Sequence, residues 1–169
     1  IDDAHARIRE DYLRILRFFR FHAWYGDPKR GIDAEALAAI AANSAGIETL
    51  SKERIGAEFK KLLSAPDPAP AVAAMAQAGV LTRVLPGADA SALAVLIHRE
   101  EEIGAEPDPI RRLACLGGDD HEENLRLSRA DSRRLARLLE HRQRFAAVEA
   151  LAYRLGQDEV GTLALGVPA

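Results

Sequence analysis

The residues best equipped for chemistry lie in one stretch, "REDYLRILRFFRF" (residues 9–21), where Asp11 stands three positions before Arg14, with Arg7 and Arg17 a turn to either side. On a helix these side chains share a face. A carboxylate only accepts hydrogen bonds, while a guanidinium only donates them, in a rigid fork. Side by side, the two complement an edge that offers an amino donor next to a ring-nitrogen acceptor. Cytosine (N4–H2 and N3) and adenine (N6–H2 and N1) present that order, whereas uracil and guanine present the reverse. Leaving two buried polar groups mispaired penalises the wrong base. The same residues also make a plainer structure, an exposed ion-pair ladder Arg7–Asp11–Arg14 worth ~0.3–0.5 kcal/mol per pair. On an arbitrary helix that ladder is the commoner case.

Nothing else in the chain suggests a catalytic centre. The five histidines are scattered, with no pair at i, i+4, and "DDHEEN" reads as an acidic helix start rather than a metal site. No glycine-rich phosphate loop, nucleophile elbow or Cys–His pair is present, so no catalytic or metal-ligating residue is assigned. The single Cys115 excludes an intrachain disulfide and a cysteine-based zinc framework. It is expected to be a buried small hydrophobe in a reducing cytosol. No apolar run reaches membrane-spanning length and no signal-peptide pattern occurs, so the expected location is cytoplasmic, without a membrane partner.

The elements that must position Asp11 and Arg14 are helical throughout. Ile8, Tyr12, Ile15 and Phe19 recur at helical spacing, which predicts one helix from about Ala4 to Trp24, ended by "YGDPKRG". Asp33 is placed to N-cap "AEALAAIAANSAG", with Gly46 closing that helix. Ser51 caps the next, which carries Glu53 in its first turn and buries Ile55, Phe59, Leu62 and Leu63. "SAPDPAP" (64–70) is the clearest boundary, dividing the chain into residues 1–64 and 65–169. Beyond it, helices are expected over about Ala69–Ala78, from a Ser91 cap to about Ile103, in "IRRLACLG", and after a Ser128 cap. No segment alternates with period two, so the fold class is all-α, without a sheet. The formal charge of −3 hides an uneven distribution: residues 64–124 hold 4 Lys/Arg against 11 Asp/Glu, whereas residues 125–169 hold 8 against 5. Such asymmetry suits a polyanion that touches only part of the molecule.

"RIREDYLRILRFFRF" resembles the R-I-x-E-D-x-L-R-x-x-R-x-x-R-F segment of the bacterial tRNA nucleotidyltransferase (CCA-adding enzyme) and poly(A) polymerase family. "LSKERIGAEFKKLL", "AVAAMAQAGVLTRVLPG" and "LRLSRADSRRL" resemble later family passages, in order, through roughly residues 4–145. The resemblance implies that Asp11 and Arg14 read the base of an incoming CTP or ATP, with Arg17 near the nucleotide or the primer end. Glu10 would orient the helix, Arg7 would flank it, and Ser51, Glu53 and Arg54 would brace it from the facing helix. Residues 1–64 would be the neck and 65–169 a body, where Arg126, Arg129, Arg133 and Arg134 fit contact with the phosphates of tRNA or another RNA 3′ end. Family members also carry an N-terminal α/β head whose paired carboxylates bind Mg²⁺. No segment here matches that head, so the chain is expected to be inactive alone and to hold no cofactor itself. Loss of a head would expose apolar surface near Phe18, Phe21 and Trp24 and favour self-association. A reading from a different class remains: a non-catalytic helical domain whose charged first helix docks a partner protein.

Overall fold

The computed structural model describes residues 2–144, which divide between two compact units, Ile1–Leu135 and Ala136–Ala169. Among the described residues the secondary structure is helical, with no strand beyond an isolated bridge between Ala88 and Gly117. The first unit contains α1 (Asp2–Glu10), α2 (Leu13–Tyr25), α3 (Ala34–Asn43), a 3₁₀ turn (Ser44–Thr49), α4 (Lys52–Leu63), α5 (Ala69–Gln77), α6 (Val80–Val84), α7 (Leu93–Glu102), α8 (Pro109–Leu116) and α9 (His121–Leu125). Residues 129–135 are helical and start from Ser128, whose hydroxyl accepts the Asp131 amide at 3.1 Å. In the second unit, residues 136–144 are also helical.

The core forms where the apolar stripes predict it. Ile15, Leu16 and Phe19 are buried on α2, which packs on α4 with its buried Ile55, Phe59, Leu62 and Leu63; Ile8 of α1 and Val72, Met75, Val80 and Leu81 are buried as well. α4 is the common partner, packing against α2, α8 and α9. Its N-terminus is capped as expected, Ser51 Oγ accepting the Arg54 amide at 3.4 Å. Asp33 caps α3 in the same way, through the Glu35 amide at 3.2 Å.

Four local expectations are corrected. The first helix is two: the chain leaves helical hydrogen bonding at Asp11 and Tyr12, because the Asp11 carboxylate takes the Leu13 amide at 3.0 Å and starts a new helix. An aspartate that caps its own neighbours competes with continuation of the helix. Gly46 does not close α3, which ends at Asn43 and tightens into the 3₁₀ turn; glycine stands there because a Cβ would lie 2.1 Å from the Tyr12 ring. Ser91 does not cap α7, whose cap position is Ala92; the Ser91 amide is instead held by the Asp89 carboxylate at 2.9 Å. Cys115, expected to be buried, is half-buried.

Close approach of backbones fixes α4 against α9. A Cβ built on Gly56 would sit 1.8 Å from the Leu125 carbonyl oxygen, so even a methyl group requires the two segments to separate. Gly56→Ala is expected to destabilise the chain by about 1–3 kcal/mol or more, despite its better helix propensity. A urea midpoint equal to or above that of the parent would refute this account of the contact.

Candidate nucleotide-reading and RNA-contact surface

Asp11 sits at the joint between α1 and α2, and this placement decides its partners. Its Oδ1 accepts the Leu13 amide, and Arg54 of α4 approaches both carboxylate oxygens, at 3.4 and 3.2 Å. The Leu13 N–H is the largest influence on its acidity; partial burial opposes it, and the Arg54 and Arg17 charges add to the stabilisation of the anion. The net effect holds the carboxyl below its ordinary value, so Asp11 is an acceptor at neutral pH. Ser51 contributes by capping the helix that carries Arg54, while Glu53 is exposed in the first turn of α4.

Arg14 does not pair with Asp11. The break turns it back toward α1, where its Nη1 donates to the Arg7 carbonyl and to Glu10 Oε2, both at 2.8 Å. A guanidinium on the last carbonyls of a helix is favourable for the same reason that a cation is. Arg14 and Phe18 also border a hollow of about 210 Å³, lined further by Arg7, Ile8, Ala39 and Ile40. Arg7 itself pairs with Asp3 at 3.4 Å, so the ladder Arg7–Asp11–Arg14 does not form.

The remaining charges of α2 face α4 in a continuous seam. Glu58 is buried and receives Arg17 Nε at 3.5 Å and Arg20 Nε at 2.6 Å. One step further, Trp24 Nε1 donates to the Lys61 carbonyl at 2.9 Å. Asp11–Arg54, Arg17–Glu58, Arg20–Glu58 and Trp24–Lys61 thus advance together along both helices, which run parallel here. Sequence reasoning missed Glu58 and Arg20. The available signal was a lone carboxylate on the same face of α4 as Ile55 and Leu62, a position where burial without a cation is costly. Beyond the seam, Phe21 and Tyr25 are largely exposed, Trp24 is 41% exposed and Phe18 is half-buried.

The C-terminal arginines divide. Arg134 is bound to Asp108 through both guanidinium ends, and Asp108 also caps α8 through the Ile110 and Arg111 amides at 3.0 and 3.2 Å. Arg126 is exposed and forms the left-handed cap of α9, while Arg129 and Arg133 are exposed, Arg133 reaching the Arg129 carbonyl at 3.3 Å. Among the described residues no group of three His, Cys, Asp or Glu side chains is placed to hold a metal ion. No described helix is long and apolar enough to cross a membrane.

Residues 31–91 match the family described as "Probable RNA and SrmB- binding site of polymerase A". Human mitochondrial CCA tRNA nucleotidyltransferase 1 is 49% identical over 63 residues, which are 37% of this chain and 14% of the human protein. The CCA-adding enzyme of Geobacillus thermodenitrificans is 37% identical over 87 residues, 52% of this chain and 20% of that enzyme. A CCA-adding enzyme of Lacticaseibacillus paracasei is 39% identical over 67 residues, 40% of this chain and 16% of the enzyme. The matches are local, and this chain covers 14–20% of the length of these relatives. Over the matched part, the chain is similar to CCA-adding enzymes and to the RNA-binding region of polymerase A.

Asp108 allows a test of the charged contacts by pH. Burial pushes its pKa up, toward the neutral form, but the Arg134 hydrogen bond and the Arg111 and Ile110 amides outweigh it, and the net direction is down. A depressed carboxyl contributes stability that is present above its unfolded value, about 3.9, and is lost as pH falls through the lower folded value. Asp108→Asn keeps an N-capping side chain but removes the charge. The urea midpoint of the variant is expected to lie below the parent at neutral pH and to converge with it as the pH falls through the lowered folded value. A gap that persists unchanged at acid pH would show that the charge is not the source.

Proposed function

We propose that this chain is the RNA-binding and nucleotide-selecting helical portion of a template-independent RNA nucleotidyltransferase, one that adds C and A, or A alone, to RNA 3′ ends. The observation that carries the reading is the ionised Asp11 carboxylate, held at a helix joint by a backbone amide and Arg54. The local kinship with CCA-adding enzymes supports it. Asp11 would accept the amino group of cytosine or adenine, and Arg14 would donate to the adjacent ring nitrogen. Arg14 reaches that position by leaving Glu10, an exposed i, i+4 pair worth only ~0.3–0.5 kcal/mol. Arg17, half-exposed on the seam, lies on the side available to the nucleotide or the primer end.

Nucleotidyl transfer would depend on a Mg²⁺-binding head that the described residues do not supply. No cluster of His, Cys, Asp or Glu among them fits the ion. The chain by itself is therefore proposed to be inactive, and the exposed Phe21–Trp24 face to be a contact surface for self-association. In an active enzyme carrying these residues, Asp11→Ala is expected to relax choice among the four nucleotides about tenfold or more while leaving primer affinity within about twofold. Incorporation assays with each nucleotide, alongside primer binding, measure both. Unchanged selectivity would remove the template assignment, and CMP or AMP addition by the purified 169-residue chain would remove the assignment of catalysis to a separate head.

A further inference from the structure

Beyond the seam lies a polar cavity of about 560 Å³, bounded by the 3₁₀ turn, the start of α4, α6 and α9. Lys52 lines it, and Lys52 is out of place by every local rule. It is the first residue of α4, where the positive end of the helix dipole disfavours a cation. It is half-buried, and among the described residues it has neither an ion pair nor a hydrogen-bond partner. A cation kept in such a position without compensation marks a site whose counter-charge comes from elsewhere.

The neighbours define that counter-charge. Arg83 is oriented along the cavity by Ser44 Oγ at 3.2 Å and by Glu48 at 2.5 Å, which together use its Nε and Nη1 and leave Nη2 to the cavity. Asn124 donates one amide hydrogen to the Asp119 carbonyl at 3.1 Å and keeps a second. Lys52 and Arg83 against Glu48 leave one net positive charge, surrounded by donors. That set repels a metal ion and suits a single phosphodiester.

We infer that the Lys52–Arg83–Asn124 cavity holds one backbone phosphate of the bound RNA. The inference rests on the RNA partner proposed above and assigns a place to it. The expected signature is electrostatic and independent of base sequence. Binding of the 169-residue chain to a tRNA transcript is measured by fluorescence anisotropy across a salt series, with urea melts confirming that each variant folds. Lys52→Gln is expected to weaken binding about three- to tenfold at low salt and to reduce the slope of log affinity against log salt by about 0.7–0.9. Thr82→Glu, which puts a carboxylate from an exposed position beside Arg83, is expected to weaken binding further. Lys29→Gln, on an exposed loop, serves as the control for general charge loss. If the parent binds RNA but Lys52→Gln and Thr82→Glu behave like Lys29→Gln, the cavity assignment is wrong and the RNA reading stands. Absence of RNA binding by the parent itself would overturn both.

Discussion

Arg112 is almost wholly buried, and each of its five N–H groups has an acceptor. Nε and Nη2 reach Glu100 at 3.0 and 2.9 Å, Nη1 takes the Leu63 and Ala65 carbonyls, and Nη2 also takes Pro66. The carbonyls are those left over at the end of α4 and in the proline-rich turn after it, which cannot be satisfied by a continuing helix. One guanidinium thus ends α4, shapes the turn and ties both to α7 and α8. Glu100 is equally buried and takes Arg111 at 2.8 Å on its other oxygen, so the anion is matched from two sides. Ion pairs of this kind add little stability over an apolar substitute, but removing one partner leaves an uncompensated buried charge. Their consequence here is geometric: the Leu63, Ala65 and Pro66 carbonyls, at the start of a segment so loop-like in sequence, are fixed by one buried side chain.

With its end fixed in this way, α4 becomes the reference for everything functional. Its C-terminal half packs into the core, its Gly56 admits the Leu125 backbone, and its outer edge presents Arg54, Glu58 and the Lys61 carbonyl to α2. Lys60 adds a bond to Asp131 at 2.6 Å, which fastens the start of the last helix of the unit. The seam is therefore not a set of independent surface pairs. Glu58 is buried and shared by two arginines, so displacing either one alters the position of the other, and contacts within one such network do not behave additively. Movement of α4 would shift Arg54 and, with it, the carboxylate that Arg54 holds.

Much of the scaffold was legible in the sequence because it follows periodicity and caps: the apolar stripe of α4, the Ser51 and Asp33 caps and the absence of strands among the described residues all appear as expected. The features that were not legible share a physical cause, which is that a polar residue's partner is distant in sequence. Glu58 and Arg112 read as ordinary helix-surface charges until folding places them opposite Arg20 and Glu100. Gly46 reads as a helix stop, yet its small size serves the Tyr12 ring from another element. The helix break at Asp11 is intermediate. Its signal, an aspartate two residues before an amide that it can accept, was present in "EDYL" but was outweighed by the unbroken apolar spacing around it.

That break gives the two halves of the proposed reader unequal mobility. Asp11 is fixed by a backbone amide and by Arg54, whereas Arg14 holds only an exposed glutamate and one carbonyl on a long, rotatable side chain. Cytosine and adenine offer the same order of donor and acceptor on bases of different size. A reader with both groups rigid would fit one of them well and strain the other. A fixed acceptor can set the register on the shared amino group, while a guanidinium that leaves a weak exposed pair follows the ring nitrogen to either position. In that role uracil and guanine would be refused by the fixed half, because each would set a carbonyl oxygen against the Asp11 carboxylate, and no rearrangement of Arg14 would relieve that repulsion. In the proposed role, selectivity thus resides in the rigidity of the joint, and tolerance of two bases in the looseness beside it.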